Sequence, residues 1–218
     1  MQTTKTYPSG GKPIPVEIFD PPGTPNGGVV ILAHGSGGMA APWDAMIRAY
    51  ATAIAARGFV TAVPFYFGQA APPVDVLQQI ARWQTTLADA IPFVKALPHM
   101  HAGRVALVGF SLGGNLSLRL RASAKVVVEY FAPDFQLGGI GHVSPAVPFA
   151  QIHHGEADSL VLIQNAKTIE KTLRREGTVP DVHYYPKAGH GFSGKDPGDA
   201  VALRESQKRT VDFLVAHL

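Results

Sequence analysis

Two apolar patterns alternate along this chain. Short, nearly unbroken apolar runs occupy residues 29–33, 59–63, 104–108, 125–131, 149–153 and 182–185. Runs of that length read as strands covered on both faces. Val16-Glu-Ile-Phe19 alternates instead and reads as an edge strand, closed by Asp20-Pro-Pro-Gly23. Helical spacing fills the intervals. Trp43, Met46, Ile47, Tyr50 and Ile54 form one stripe on a helix expected over 42–57, and Gly58 stands where it should stop. Further helices are expected over 74–97, 112–122, 162–176 and 197–218, with Pro92 a break or kink in the first. Residues 132–148 read as irregular. Each parallel crossover needs a helix, so this order predicts an α/β fold: a mostly parallel twisted sheet with helices on both faces.

Composition narrows the picture without redirecting it. A chain of 218 residues fits one domain over 1–218, and it can bury roughly 70% of its unfolded surface. No linker, repeat or low-complexity segment divides it. The formal charge is +3, but Lys and Arg are scattered, with only short pairs such as Arg174-Arg175 and Lys208-Arg209. That scatter argues against a nucleic-acid partner. There are no cysteines, which excludes disulfides, thiol catalysis and thiolate metal sites. Residues 1–15 are polar and broken by Gly and Pro, without the apolar centre of a signal peptide. No run is long enough for a membrane span, so a cytoplasmic location without a membrane partner is the expectation.

The chemistry centres on Val108-Gly109-Phe110-Ser111-Leu112-Gly113-Gly114. Gly-x-Ser-x-Gly between a buried strand and a helix is the context of a nucleophile elbow. Bulk two residues before or after the serine would collide with neighbouring backbone, and Gly109 and Gly113 remove it. The helix that follows directs its positive end at the reacting centre. A phosphate-binding glycine loop is the rival, but no Gly-Lys-Ser/Thr follows.

A serine nucleophile needs a base, and histidine is the usual one. Of nine histidines, His190 in Ala188-Gly-His-Gly-Phe192 lies between the last strand and the last helix, where the order Ser…Asp…His expects it. His153 and His154 come at a strand end, and one of them could face the site. The acid should leave a strand between serine and histidine. Asp158 in His154-Gly-Glu-Ala-Asp158 does so, although it could instead cap the next helix. Asp134 is the runner-up. For the oxyanion hole, one N–H should come from Leu112. The other should come from His34-Gly-Ser-Gly-Gly38, with Ser36 preferred and Gly37 the alternative. Trp43, Phe65, Tyr66, Phe67 and Phe192 are candidate substrate contacts. The histidines lack a metal-ligand spacing, so neither metal nor cofactor is expected.

With these motifs in place, the chain resembles the dienelactone hydrolase family of α/β-hydrolases. The resemblance rests on His34-Gly35, the elbow around Ser111, His154 to Asp158, His190-Gly-Phe192 and Pro64-Phe-Tyr-Phe67. It implies a triad of Ser111, His190 and Asp158 acting on small ester or lactone substrates. The founding type uses cysteine at the nucleophile and holds it with a glutamate in the loop after the early strand. Here Ser111 stands at the first position, and Ser36-Gly-Gly offers no carboxylate at the second. A serine version looks more like a general carboxylic ester or lactone hydrolase. The 132–148 stretch is too short and too rich in glycine and proline for a helical cap, which implies an open site. Acyl transfer, perhydrolysis or peptide cleavage would use the same residues, and a non-catalytic binding protein is the reading from another class.

Overall fold

The computed structural model describes residues 1–68, 76–135 and 146–218. Its strands join in one sheet of eight: β1 (Gln2–Ser9), β2 (Lys12–Phe19), β3 (Val29–Ala33), β4 (Val60–Pro64), β5 (Val105–Phe110), β6 (Val126–Tyr130), β7 (Phe149–Gly155) and β8 (Asp181–Tyr185). The order across the sheet is β1-β2-β4-β3-β5-β6-β7-β8. β3 to β8 run parallel, and β2 pairs antiparallel with both β1 and β4. The expected α/β architecture is therefore present. Every residue of β3, β4, β5 and β6 is buried, as continuous apolar runs require.

Among the described residues five α-helices cover the sheet: α1 (Trp43–Ala55), α2 (Val76–Lys95), α3 (Leu112–Arg119), α4 (Ile163–Arg175) and α5 (Asp199–His217). α1 and α5 bury Ile47, Tyr50, Ile54, Val211 and Leu214 against one face. α2, α3 and α4 bury Leu87, Val94, Leu116, Ile169 and Leu173 against the other. α2 runs past Pro92 to Lys95 without ending. Its expected start at residue 74 lies outside the described residues, as does the 136–145 part of the irregular stretch. None of the described helices is long and apolar enough to cross a membrane.

One expectation about the N-terminus needs correction: the strand over 16–19 is not at the edge, because β2 lies between β1 and β4. β1 and β2 form a hairpin across Gly10-Gly11, whose φ angles of 55° and 76° suit a two-residue turn. Tyr7, Ile14 and Val16 point into the core, and the Tyr7 hydroxyl donates to the Thr86 carbonyl at 2.9 Å. β1 is thus the edge strand, one place further out.

The chain order reverses direction at β3, between β4 and β5, so the loops leaving β3 and β5 diverge there. Such a switch point leaves a crevice at the carboxyl ends of the strands. Beside it, Asp199 at the start of α5 is fully buried and organises the loop that follows β8. Its Oδ1 accepts the Gly189 N–H at 2.8 Å, and its Oδ2 accepts those of Gly194, Lys195 and Asp196 at 2.9–3.1 Å.

A second buried acid, Glu129 of β6, accepts the Ala132 N–H through Oε2 at 2.9 Å, while its Oε1 has no hydrogen-bond partner among the described residues. Burial pushes this carboxyl up to about 8 from the ordinary 4.5, with the Ala132 bond partly offsetting it. A folded-state value above the unfolded one stabilises fully at pH below about 4.5, and that contribution is lost as pH rises through about 8.

Two predictions follow from these acids. Between pH 6.5 and 8, wild type should lose stability relative to Glu129→Gln at roughly 1 kcal/mol per pH unit in urea denaturation, the limiting slope being about 1.4. Identical slopes would mean that Glu129 is ionised in the folded protein. Asp199→Ala strands four loop N–H groups and should cost about 3 kcal/mol in the same assay, with Asp199→Asn costing less.

Candidate active site

Ser111 joins β5 to α3 in a conformation that few residues adopt, with φ 53° and ψ −117°. The turn is tied by the Ser111 N–H to the Tyr130 carbonyl (2.8 Å) and by the Asn115 N–H to the Ser111 carbonyl (3.1 Å). It leaves the side chain at the end of the sheet, part-exposed, facing the crevice. A Cβ at Gly109 would sit 2.2 Å from the Gly113 carbonyl oxygen, and one at Gly113 would sit 2.1 Å from that of Ala33. Backbone cannot yield by that much, so both positions require glycine.

The structure brings Ser111, His190 and Asp158 into one hydrogen-bonded row. Ser111 Oγ lies 3.1 Å from His190 Nε2, and His190 Nδ1 lies 2.7 Å from Asp158 Oδ2. An ionised carboxylate only accepts, so Nδ1 carries the proton and Nε2 is free to accept from the serine hydroxyl. Asp158 serves its own turn as well. Its Oδ1 accepts the N–H groups of Leu160 and Val161 at 2.9 and 2.8 Å, while α4 starts later, at Ile163, with Leu162 as its N-cap. The helix-cap alternative thus becomes a turn held by the other oxygen. Burial of Asp158 favours its neutral form. The His190 bond, the Val161 N–H and the nearby His190 and His154 outweigh it, and the carboxyl lies below its ordinary value.

The His190 ring bonds to Asp158 and not to Asp134, the alternative acid, whose backbone N–H donates to Asn165 Oδ1 at 3.1 Å. His154 stands behind the row, with Nε2 donating to the Val161 carbonyl at 2.8 Å and 3.6 Å from Asp158 Oδ2. Burial lowers its proton affinity. His153 does not face the crevice. Its Nδ1 accepts from the Tyr185 hydroxyl (2.8 Å) and its Nε2 donates to Gln151 Oε1 (2.9 Å), within a buried network that includes Thr210. Glu156 is exposed. Among the described residues no group of histidines and acids could hold a metal ion.

A cavity of about 250 Å³ opens beside Ser111 and His190. Gly35, Ser36 and Gly37 form one side, and Trp43, Met46, Ile47, Phe110, Phe131 and Leu160 supply most of the rest. Trp43 spans two loops: a methyl on either Gly37 or Gly191 would come within 2.7 Å of its indole. Of the five aromatic candidates, only Trp43 lines this cavity. Tyr66 is fully buried and stacks on the His34 ring at 4.1 Å, donating its hydroxyl to the His34 carbonyl at 2.5 Å. Phe67 meets the same ring edge-on at 4.6 Å, and Phe192 is buried against Phe131. Phe65 anchors β2 through its N–H to the Pro15 carbonyl at 2.9 Å.

Two groups escaped the sequence reading. Phe131, with φ 40°, lines the cavity and meets the His190 ring edge-on at 4.8 Å. Asp199 holds the loop that carries His190. An acid in the first turn of the last helix, directly after Pro197-Gly198, was the available signal for it. His34 supports its loop as a neutral ring. Burial lowers it to about 4 despite its Nδ1–H bond to the Gly35 carbonyl at 3.0 Å.

Comparison with known proteins agrees with this architecture. Carboxymethylenebutenolidase 1 of Cupriavidus pinatubonensis is 30% identical over 132 residues, a match spanning 59% of this chain and 55% of that relative. A dienelactone hydrolase-like promiscuous phosphotriesterase from metagenomic libraries superposes with a TM-score of 0.80 at 20% identity, covering 100% of this chain and 98% of its own. Esterase 2 of Thermogutta terrifontis gives 0.78 at 17%, covering 99% and 92%. These likenesses share the α/β-hydrolase fold, and the model of the dienelactone hydrolase family matches residues 14–218, so this chain belongs to the dienelactone hydrolase family.

Proposed function

We propose that this chain hydrolyses carboxylic esters or lactones through an acyl-enzyme, with Ser111 as nucleophile, His190 as base and Asp158 as orienting acid. The observation that carries the reading is the row of 3.1 Å and 2.7 Å contacts ending in the cavity. As Ser111 Oγ attacks the carbonyl carbon, its proton passes to His190 Nε2. Asp158 keeps Nδ1 protonated and stabilises the resulting imidazolium. The oxyanion takes hydrogen bonds from two backbone N–H groups. Leu112 opens α3, so its N–H belongs to the first turn, which has no intrahelical acceptor. Ser36 supplies the other from the loop after β3. His190 then gives its proton to the leaving alcohol. Water repeats the sequence, transferring a proton to His190 as it attacks the acyl carbon and releasing the acid with Ser111 restored. No cofactor enters any step.

Relatives support this reading at a coarser level. Family membership and neighbours described as esterases point to ester or lactone hydrolysis as the reaction class. The Thermogutta esterase is described as phosphorylated by paraoxon. We infer the corresponding reactivity here, since an organophosphate mimics the tetrahedral state and stalls at the serine.

Three variants test the roles. Ser111→Ala should fold and lose about 10⁴-fold or more in kcat on an activated ester. Asp158→Asn should cost about 10³–10⁴-fold by stabilising the wrong imidazole tautomer, and Asp134→Asn less than about tenfold. Near-wild-type turnover by folded Ser111→Ala would remove the nucleophile, and the reverse ranking of the two Asp variants would move the acid to Asp134.

A further inference from the structure

We propose that this site takes small esters carrying no charge, and that it discriminates against a substrate bearing a carboxylate. The proposal rests on the hydrolase reading above and narrows it to a substrate class.

The cavity walls carry the argument. Among the described residues lining it, the side chains are Trp43, Met46, Ile47, Phe110, Phe131 and Leu160, apart from the two serines and His190. None is Lys or Arg. Residues 69–75 and 136–145 contain no Lys or Arg either; their ionisable side chains are Asp75 and His142. The nearest cation on α1 is engaged elsewhere. Met46 and Ile47 face the cavity, but Arg48 holds Glu17 through Nε and Nη2 (2.9 Å each) and Asp44 through Nη1 (2.8 Å).

The buried histidines around the site do not fill the gap. His34 beneath the Ser36 loop and His154 behind Asp158 are both held toward the neutral form by burial. His190 must also be neutral to act as base, and its acidic partner among the described residues is the Asp158 carboxylate at 2.7 Å. It is negative. A substrate carboxylate entering here would lose water to apolar walls, find no Lys or Arg among the described lining residues and be repelled by Asp158.

Size adds a second limit. At about 250 Å³ the cavity falls below the ~300–1,000 Å³ common for drug-sized ligands. Leu160 lines the cavity and is 74% exposed, so the apolar surface continues outward at the mouth. A short acyl group inside and an apolar alcohol along that rim match this shape.

The test compares three ethyl esters of one backbone at pH 8: ethyl 4-methylpentanoate, ethyl succinamate and monoethyl succinate. They place isopropyl, amide and carboxylate at the same point. kcat/KM for the carboxylate should lie about 100-fold below the isopropyl ester and at least tenfold below the amide. Met46 is half-buried on α1 and can be replaced by a long cationic chain that reaches water. Met46→Arg should raise the carboxylate-to-amide ratio tenfold or more, whereas Met46→Leu should leave it unchanged. Equal rates on carboxylate and amide, or an unmoved ratio in Met46→Arg, would overturn the proposal while leaving the hydrolase reading intact. No turnover of any ester by protein that also fails to react with a fluorophosphonate would overturn both.

Discussion

Ser111 can stand where it does because the backbones of β3, β5 and α3 meet without side chains between them. Gly109 approaches the Gly113 carbonyl and Gly113 approaches those of Ala33 and His34, all at distances that no Cβ tolerates. This contact fixes the angle at which α3 leaves the sheet. It also sets the loop after β3 beside the serine, where a Cβ on Gly35 would touch the Ser111 Cβ at 3.4 Å. The residue between the glycines is then forced to a left-handed φ. Strain of that kind costs of order 1–3 kcal/mol and persists only where the surroundings over-determine it. Here the hydrogen bonds to Tyr130 and Asn115 and the buried flanking strands supply the constraint.

The opposing side of the site is built from polar groups instead. Two buried carboxylates fix two loops, and each divides its oxygens between tasks. Asp158 holds its own turn with Oδ1 and His190 with Oδ2. Asp199 holds Gly189 with one oxygen and three N–H groups with the other. The imidazole therefore sits between a loop tied to α5 and an acid tied to the turn before α4. Its ring is further confined by Phe131 edge-on. Apolar walls and polar anchors serve different ends: the former offer apolar surface beside Ser111, and the latter position the groups that bound the cavity.

Much of this was legible in the sequence, for identifiable reasons. Strands buried on both faces write themselves as unbroken apolar runs, and the parallel core from β3 to β8 appeared almost residue for residue. Gly-x-Ser-x-Gly is legible because its glycines answer a steric demand. The order Ser111, Asp158, His190 is legible because topology fixes which strand ends share one edge. The N-terminal hairpin was hidden by composition. Its outward face is Thr, Lys and Pro, and only Tyr7, Ser9, Ile14 and the residues from Val16 onward turn inward. Gly10-Gly11 was the signal available for it.

Side-chain destinations were harder to read. Phe65, Tyr66 and Phe67 follow a strand end next to the site, yet Tyr66 and Phe67 turn inward to brace His34, and Trp43 from α1 reaches the cavity instead. His153 and His154 are adjacent in sequence but point to opposite faces of β7, one into the network under α5 and the other behind Asp158. Strand alternation predicts that split, but it does not say which face holds the acid. The most direct measurement of the central claim is mass spectrometry of the protein after incubation with paraoxon. The account predicts one diethylphosphoryl group per chain, located on the Ser111 peptide, with a stoichiometric burst of p-nitrophenol. An adduct on another residue, or no adduct in folded protein, would contradict it.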